Sequence, residues 1–210
     1  VLLGHERGID VPAFQIPQIY FDFTRGMGIR RIRPVLEHNV DDIVSLAMLS
    51  AKACRMYRLP ELEASNAIDW YSLGRAFLAD GEKERARMCL ERSLQTDLPL
   101  GLRWMAQRDY SLLLKRNKEY SVAVEVWREM LNGGMDRHPF PYEELAKYYE
   151  HIERRPLDAL RLVQDFLASL DSPHLPGRES PSFSIDRVRN EFGFRLKRLM
   201  RKADTCNRGT

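Results

Sequence analysis

Residues 67–100 carry the pattern that most constrains the fold of this chain of 210 residues. Large and small apolar positions recur there at three- and four-residue intervals, on Trp70, Leu73, Gly74 and Phe77 and then on Ala86, Leu90 and Ser93. These intervals predict two helices with apolar faces, joined by a turn at Gly81. Gly74 and Ala86 would let the helices approach closely, while the large residues fill the space beside them.

The pattern resembles the tetratricopeptide repeat (TPR), a pair of antiparallel helices of about 34 residues. The window 67–100 matches along its whole length, except that the closing proline falls at Pro99 instead of at Leu98. Looser units follow at about 104–137 and 141–170. Because about three units are needed to bury a continuous core, we expect an all-α, TPR-like array of helical hairpins over residues 58–170.

The end of the chain has two further segments. Residues 171–183 are rich in proline, glycine and serine, which predicts a loop. Residues 184–203 place apolar positions at helical spacing among many arginines and lysines, which predicts an amphipathic helix. We expect this helix to cap the array, with its basic side outward.

Composition indicates a globular chain. It is 44% hydrophobic and 30% charged, with a net charge of +3. No apolar run approaches the roughly 20 residues of a membrane-spanning helix, and the first residues lack a signal-peptide pattern, so we expect a cytoplasmic protein without a membrane partner. The chain does not begin with Met, which fits either a trimmed chain or a fragment of a longer protein. Cys54, Cys89 and Cys206 lack metal-ligand spacing and are expected to be buried thiols.

A long helix from about residue 33 to 57 combines apolar and polar faces. Its predicted buried side consists of Val35, Leu36, Val40, Ile43, Val44 and Ala47. His38 and Asp42 share a different face, one turn apart. In isolation this spacing is typical of an intrahelical hydrogen bond.

Four segments, in order, resemble the C-terminal end of the ribonuclease H-like exonuclease domain of the DEDD superfamily. The similarity is greatest to the bacterial branch in which a TPR-like tail follows the nuclease domain. The segments are DVP from Asp10, IPQIYF from Ile16, VLEHNVDD from Val35, and ELAKYYEH from Glu144 with the closing RLKRLMRK from Arg195. On this resemblance, residues 1–57 form the last part of the nuclease domain. Local sequence signals predict a short helix around Ile16–Thr24, before the long helix.

The resemblance implies roles for two residues. Members of the superfamily bind two divalent ions with four carboxylates, so Asp42 would be the last metal ligand, and His38 would position or deprotonate the attacking water. The other three carboxylates would precede residue 1, because Asp80-Gly-Glu82 lies in the predicted turn. We therefore expect Mg²⁺ or Mn²⁺ in a longer parent, and neither metal nor nuclease activity in this chain alone.

Basic residues form two clusters that could contact nucleic acid in the parent. Arg30, Arg31 and Arg33 precede the His38 segment, and Arg195 and Arg198 belong to the final helix. The alternative is a solvated helix face with ordinary salt bridges, which the C-terminal cluster taken alone favours.

A non-enzymatic interaction module is the alternative function. The concave face of a TPR array binds peptides or proteins. Tyr71, Arg75 and Arg108 occupy first helices of the predicted units and would line that groove. The sequence leaves the oligomeric state open.

Overall fold

Helices make up all the regular structure in the part of the chain that the computed structural model describes, residues 11–27, 29–133, 138–171 and 184–207. The predicted all-α class is confirmed. Within these ranges a 3-10 turn at Ala13–Gln15 precedes the helices α1 (Ile16–Thr24), α2 (Ile29–Arg58), α3 (Pro60–Glu63), α4 (Ala67–Asp80), α5 (Lys83–Gln95), α6 (Leu100–Arg116), α7 (Tyr120–Asn132), α8 (Pro139–His151), α9 (Pro156–Asp171) and α10 (Ile185–Asn207).

The chain divides into two units, Val1–Ser65 and Asn66–Thr210. Sequence analysis sets this boundary after residue 57, whereas the structure sets it after Ser65, because α3 packs on α2. In the first unit α1 also packs on α2. The buried Asp22 carboxylate joins these helices, accepting hydrogen bonds from Gln18 Nε2 at 2.9 Å and from Arg31 Nη1 at 3.2 Å.

The second unit begins with the closely packed pair α4 and α5. The Asn66 side chain caps α4 by accepting from the Asp69 N–H at 2.9 Å, and Gly81 ends the helix with a φ of 80°. Where the helices meet, a Cβ added at Gly74 would lie 2.9 Å from Leu90 Cγ. The predicted use of a small residue to bring these helices together is confirmed.

From α5 onward each helix packs on the next one along the chain, ending with α10 on α9. Prolines begin α8 and α9, where a missing N–H costs little. Val188, Phe192 and Leu199 of α10 cover Val163 and Phe166 of α9 in one apolar cluster, as the spacing in the final helix predicts. Residues 172–183 of the predicted loop lie outside the described residues.

Two predictions about exposure are settled here. Cys89 is buried as expected, but the prediction for Cys54 is wrong, because this thiol is exposed on α2. The side chain of Cys206 falls outside the described part of the chain. Across the described residues, no helix has the length and apolar character needed to cross a lipid bilayer.

Candidate functional site

His38 and Asp42 lie side by side on α2. His38 Nε2 is 3.2 Å from Asp42 Oδ2. The His38 side chain is 21% exposed and the Asp42 side chain is 47% exposed. Helical spacing therefore brings the imidazole and the carboxylate together, at a distance suited to moving or orienting a proton. Their catalytic role stays a prediction.

The residues around this pair do not by themselves fit a divalent metal. No group of three or more His, Cys, Asp or Glu side chains that could hold an ion occurs within the described ranges. A two-metal centre needs several carboxylates, whereas Asp80 ends α4 and Glu82 immediately precedes α5. Among the described residues, Asp42 is the one carboxylate that the resemblance assigns to the implied centre.

The predicted buried side of α2 is largely uncovered. Val35 is buried, but Leu36, Val40, Ile43 and Val44 are exposed, Ile43 to 68%, and so is Ala47. Burial was expected from the helical pattern alone, and that expectation is wrong because α1 and α3 contact only part of a 30-residue helix. Leu46 and Leu49 are also exposed. At about 100° per residue, Leu49 shares the face of His38 and Asp42, so apolar surface is open on more than one side.

The three arginines near this site have different surroundings. Arg31 contacts the buried Asp22, and Arg33 Nε donates to Glu37 Oε1 at 2.8 Å. Arg30 is exposed. Two of the three thus have carboxylate partners, and a role for any of them in nucleic-acid binding stays a prediction.

Arg195 and Arg198 join α10 to α8. Arg195 Nη2 is 3.3 Å from Glu143 Oε1, and Arg198 Nη2 donates to Glu150 Oε2 at 2.6 Å. Lys202 Nζ completes the contact, 2.7 Å from Glu150 Oε1. The sequence predicts that the basic side of α10 faces outward. Instead, these basic side chains form ion pairs with carboxylates of α8.

A second buried carboxylate extends this network to α6. Glu144 accepts hydrogen bonds from Lys147 Nζ at 2.8 Å and from Lys115 Nζ. Burial alone would raise the pKa of Glu144 and of Glu150, but hydrogen bonds from the neighbouring cations outweigh it, so both pKa values are lowered. Both groups are therefore held in the charged form.

The predicted groove residues converge on Asp109 of α6. Tyr71 Oη lies 3.4 Å from Asp109 Oδ2, Arg75 Nε lies 4.0 Å from the same oxygen, and Arg108 Nη1 lies 3.8 Å from Oδ1. Burial raises the pKa of Asp109, and the two arginines offset only part of that effect. Tyr71 itself is buried, so the arginines form the accessible part of this cluster.

Sequence reasoning missed the residues that organise these clusters. Asp109 and Lys115 were not singled out, and Glu144, Lys147 and Glu150 appear only within a segment quoted for its resemblance. The available signal was the three- and four-residue spacing of opposite charges, as in Glu143 and Lys147. That spacing reports contacts within one helix and gives no information on contacts between helices.

A curated relative of the chain occurs in Bacillus subtilis (strain 168), under the name uncharacterized protein YprB. The two are 26% identical over 201 residues, which cover 95% of this chain and 46% of the relative. The chain thus spans about half the length of the curated relative it matches. No family model matches the chain, and no solved structure does.

Proposed function

We propose that this chain is the C-terminal part of a metal-dependent 3′–5′ exonuclease that acts on nucleic acid. Helix α2 is the last helix of the catalytic domain, to which Asp42 contributes one carboxylate ligand while His38 positions the attacking water. The longer parent contains the remaining carboxylates and binds Mg²⁺ or Mn²⁺. The chain alone is expected to be inactive.

The surface of α2 supports this proposal most directly. Between Leu36 and Leu49 the helix exposes apolar side chains on several sides, including the side of the His38–Asp42 pair. A helix of a folded domain normally packs such an apolar stripe against a neighbouring element. A preceding catalytic domain would cover this surface and would place further carboxylates beside Asp42.

Digestion by a longer polypeptide tests the proposal. The polypeptide would carry this chain after a segment that contains the Asp-x-Glu motif, and would be assayed on 3′-labelled DNA and RNA with Mg²⁺ or Mn²⁺. We expect digestion from the 3′ end, and its loss in Asp42→Asn. Asp41→Asn is the matched control, since Asp41 lies on another face of α2 and should retain most activity. No digestion with Asp42 intact would overturn the proposal.

We further propose that helices α4–α9 form a TPR-like array that supports the nuclease. The contact between Gly74 and Leu90 is the kind of close helix approach that the repeat requires. In this arrangement α4, α6 and α8 are the first helices of the three successive units that the sequence predicts.

An interaction module without enzymatic activity is the second candidate. The observation that favours it is the cluster at Asp109, where Arg75 and Arg108 from two first helices lie exposed at one carboxylate. An acidic segment of a protein partner could replace that carboxylate as their ligand. Arg103 does not take part, because its guanidinium donates to Leu94 O and Thr96 O at the end of α5.

A pull-down with this chain discriminates the two candidates. Recovery of one protein and no nucleic acid, lost in Arg75→Gln/Arg108→Gln, would favour the interaction module. The exposed pair Arg187→Gln/Arg189→Gln is the control for charge. If the Arg75→Gln/Arg108→Gln variant still retains the partner, this groove is not the binding site.

A further inference from the structure

A pocket of about 310 Å³ lies where α6, α7, α8 and α10 meet. This volume is at the lower end of the range found for small-molecule sites. One part of its wall is aromatic, formed by Tyr120, Trp127 and Tyr148. The other part is mainly basic and includes Lys115, Lys147, Arg195 and Arg198.

The charges at this pocket do not balance. Its network contains the cations of Lys115, Lys147, Arg195, Arg198 and Lys202, and the carboxylates of Glu143, Glu144 and Glu150. Five cations against three carboxylates leave an excess of two positive charges when His151 is neutral. At the margin, Glu153 accepts from Tyr148 Oη and pairs with Arg155, which does not remove the excess.

Trp127 is a nearly buried residue at the edge of this pocket. Its side chain lines the pocket, the residue is only 1% exposed, and its indole Nε1 is buried with no hydrogen-bond acceptor among the described residues. An indole N–H in a residue that lines a pocket is sensitive to changes in that lining, so its NMR signal can report binding. Trp104 Nε1 is also buried and unpaired, but Trp104 is absent from the pocket lining.

We propose that this pocket binds a phosphate group. Its oxygens accept hydrogen bonds from Arg195 and Arg198, and its two negative charges match the excess of positive charge. Tyr120 and Tyr148, with ring centroids 6.0 Å apart, offer an aromatic wall to a planar group attached to the phosphate. The site lies within the second unit and does not depend on the proposed nuclease activity.

Indole NMR of the ¹⁵N-labelled chain tests the proposal directly. The three tryptophans, Trp70, Trp104 and Trp127, give separate indole N–H signals, and Trp127→Phe assigns the third. Sodium phosphate, adenosine monophosphate and adenosine are each titrated into the chain at matched ionic strength. We expect a saturable shift of the Trp127 signal with the two phosphates and none with adenosine, while the signals of Trp70 and Trp104 stay in place.

The two phosphate ligands distinguish the source of the group. Equal affinities would identify the phosphate alone as the ligand. Tighter binding of adenosine monophosphate would support an organic phosphate whose planar part contacts the tyrosines. A Trp127 signal that does not move, that moves equally with chloride, or that moves only with an acidic peptide would overturn the phosphate assignment.

A charge-matched pair of variants completes the test. Arg195→Gln/Arg198→Gln removes the excess positive charge at the pocket, and we expect phosphate affinity to fall about tenfold or more. Arg187→Gln/Arg189→Gln makes the same change on α10 at residues that pair with Glu191 and Asp171, and should bind as the parent chain does. Equal binding by both variants, each folded by circular dichroism, would contradict the proposal.

Discussion

Gly74 of α4 and Leu90 of α5 set the distance between two helices, since a methyl group at position 74 would lie 2.9 Å from Leu90 Cγ. We expect Gly74→Ala to lower the free energy of unfolding by about 1–3 kcal/mol, because the fully buried Leu90 would have to shift. Urea unfolding followed by circular dichroism measures the change.

Gly101→Ala is the control for that substitution. A Cβ at Gly101 meets nothing within 4 Å, and alanine is the better helix former by about 1 kcal/mol. This variant should be as stable as the parent chain or more stable. Similar losses in both variants would show that the contact with Leu90 does not limit helix approach.

Glu150→Gln tests the charged contact between α8 and α10. The Glu150 side chain is fully buried and holds both Arg198 and Lys202. Its replacement loses two charge-assisted hydrogen bonds, for which we expect a loss of about 1–3 kcal/mol in unfolding free energy. Glu191→Gln removes only the exposed pair with Arg187, where a loss of at most about 1 kcal/mol is expected. Comparable losses in the two variants would argue against the buried contact.

Acid should weaken the second unit through the same carboxylates. The folded chain lowers the pKa of Glu144 and Glu150 below their ordinary value of 4.5. Their charged forms therefore stabilise the folded chain fully above about that pH, and the contribution is lost as pH falls from there through the folded pKa values. Thermal unfolding at descending pH should show this loss, with a flatter profile in Glu144→Gln/Glu150→Gln. Identical profiles would assign acid sensitivity to other groups.

Cys54 can report on whether α2 is covered in a longer protein. Helical spacing places it on the same stripe as Leu36, Val40 and Ile43, and it is exposed in this chain. We expect a maleimide to label Cys54 rapidly in a Cys206→Ser variant, leaving the buried Cys89 unlabelled. In the extended polypeptide, labelling should be much slower if a preceding domain covers the stripe. Equal rates, measured by mass spectrometry of peptides, would argue against that cover.

Prediction from the sequence succeeded where the relevant contacts are local. Gly74, Gly81 and Leu90 belong to one helical hairpin, so their spacing was enough to predict the α4–α5 pair. His38 and Asp42 lie one turn apart, and their proximity followed from helix geometry alone. In both cases the residues are close in sequence, within one helix or within one helical hairpin.

Other features depended on packing that spacing does not encode. Arg198 and Glu150 are 48 residues apart and come together only when α8 and α10 both pack on α9. For the same reason, the apolar residues of α2 indicated a buried face, although no described neighbour covers it. Helical periodicity predicts which side of a helix is apolar, but not which surface will cover it.

The sequential packing of α4 to α10 has a consequence for biosynthesis. Because each helix finds its principal neighbour next to it in the sequence, native contacts can form while the chain is still leaving the ribosome. Until α10 emerges, however, Glu150 lacks the cations of Arg198 and Lys202, and the apolar surface of α9 is open. The 23-residue helix α10 thus pairs the buried carboxylate of Glu150 and covers the apolar surface of α9. Translation that stops before residue 185 would therefore release an incompletely folded, aggregation-prone product.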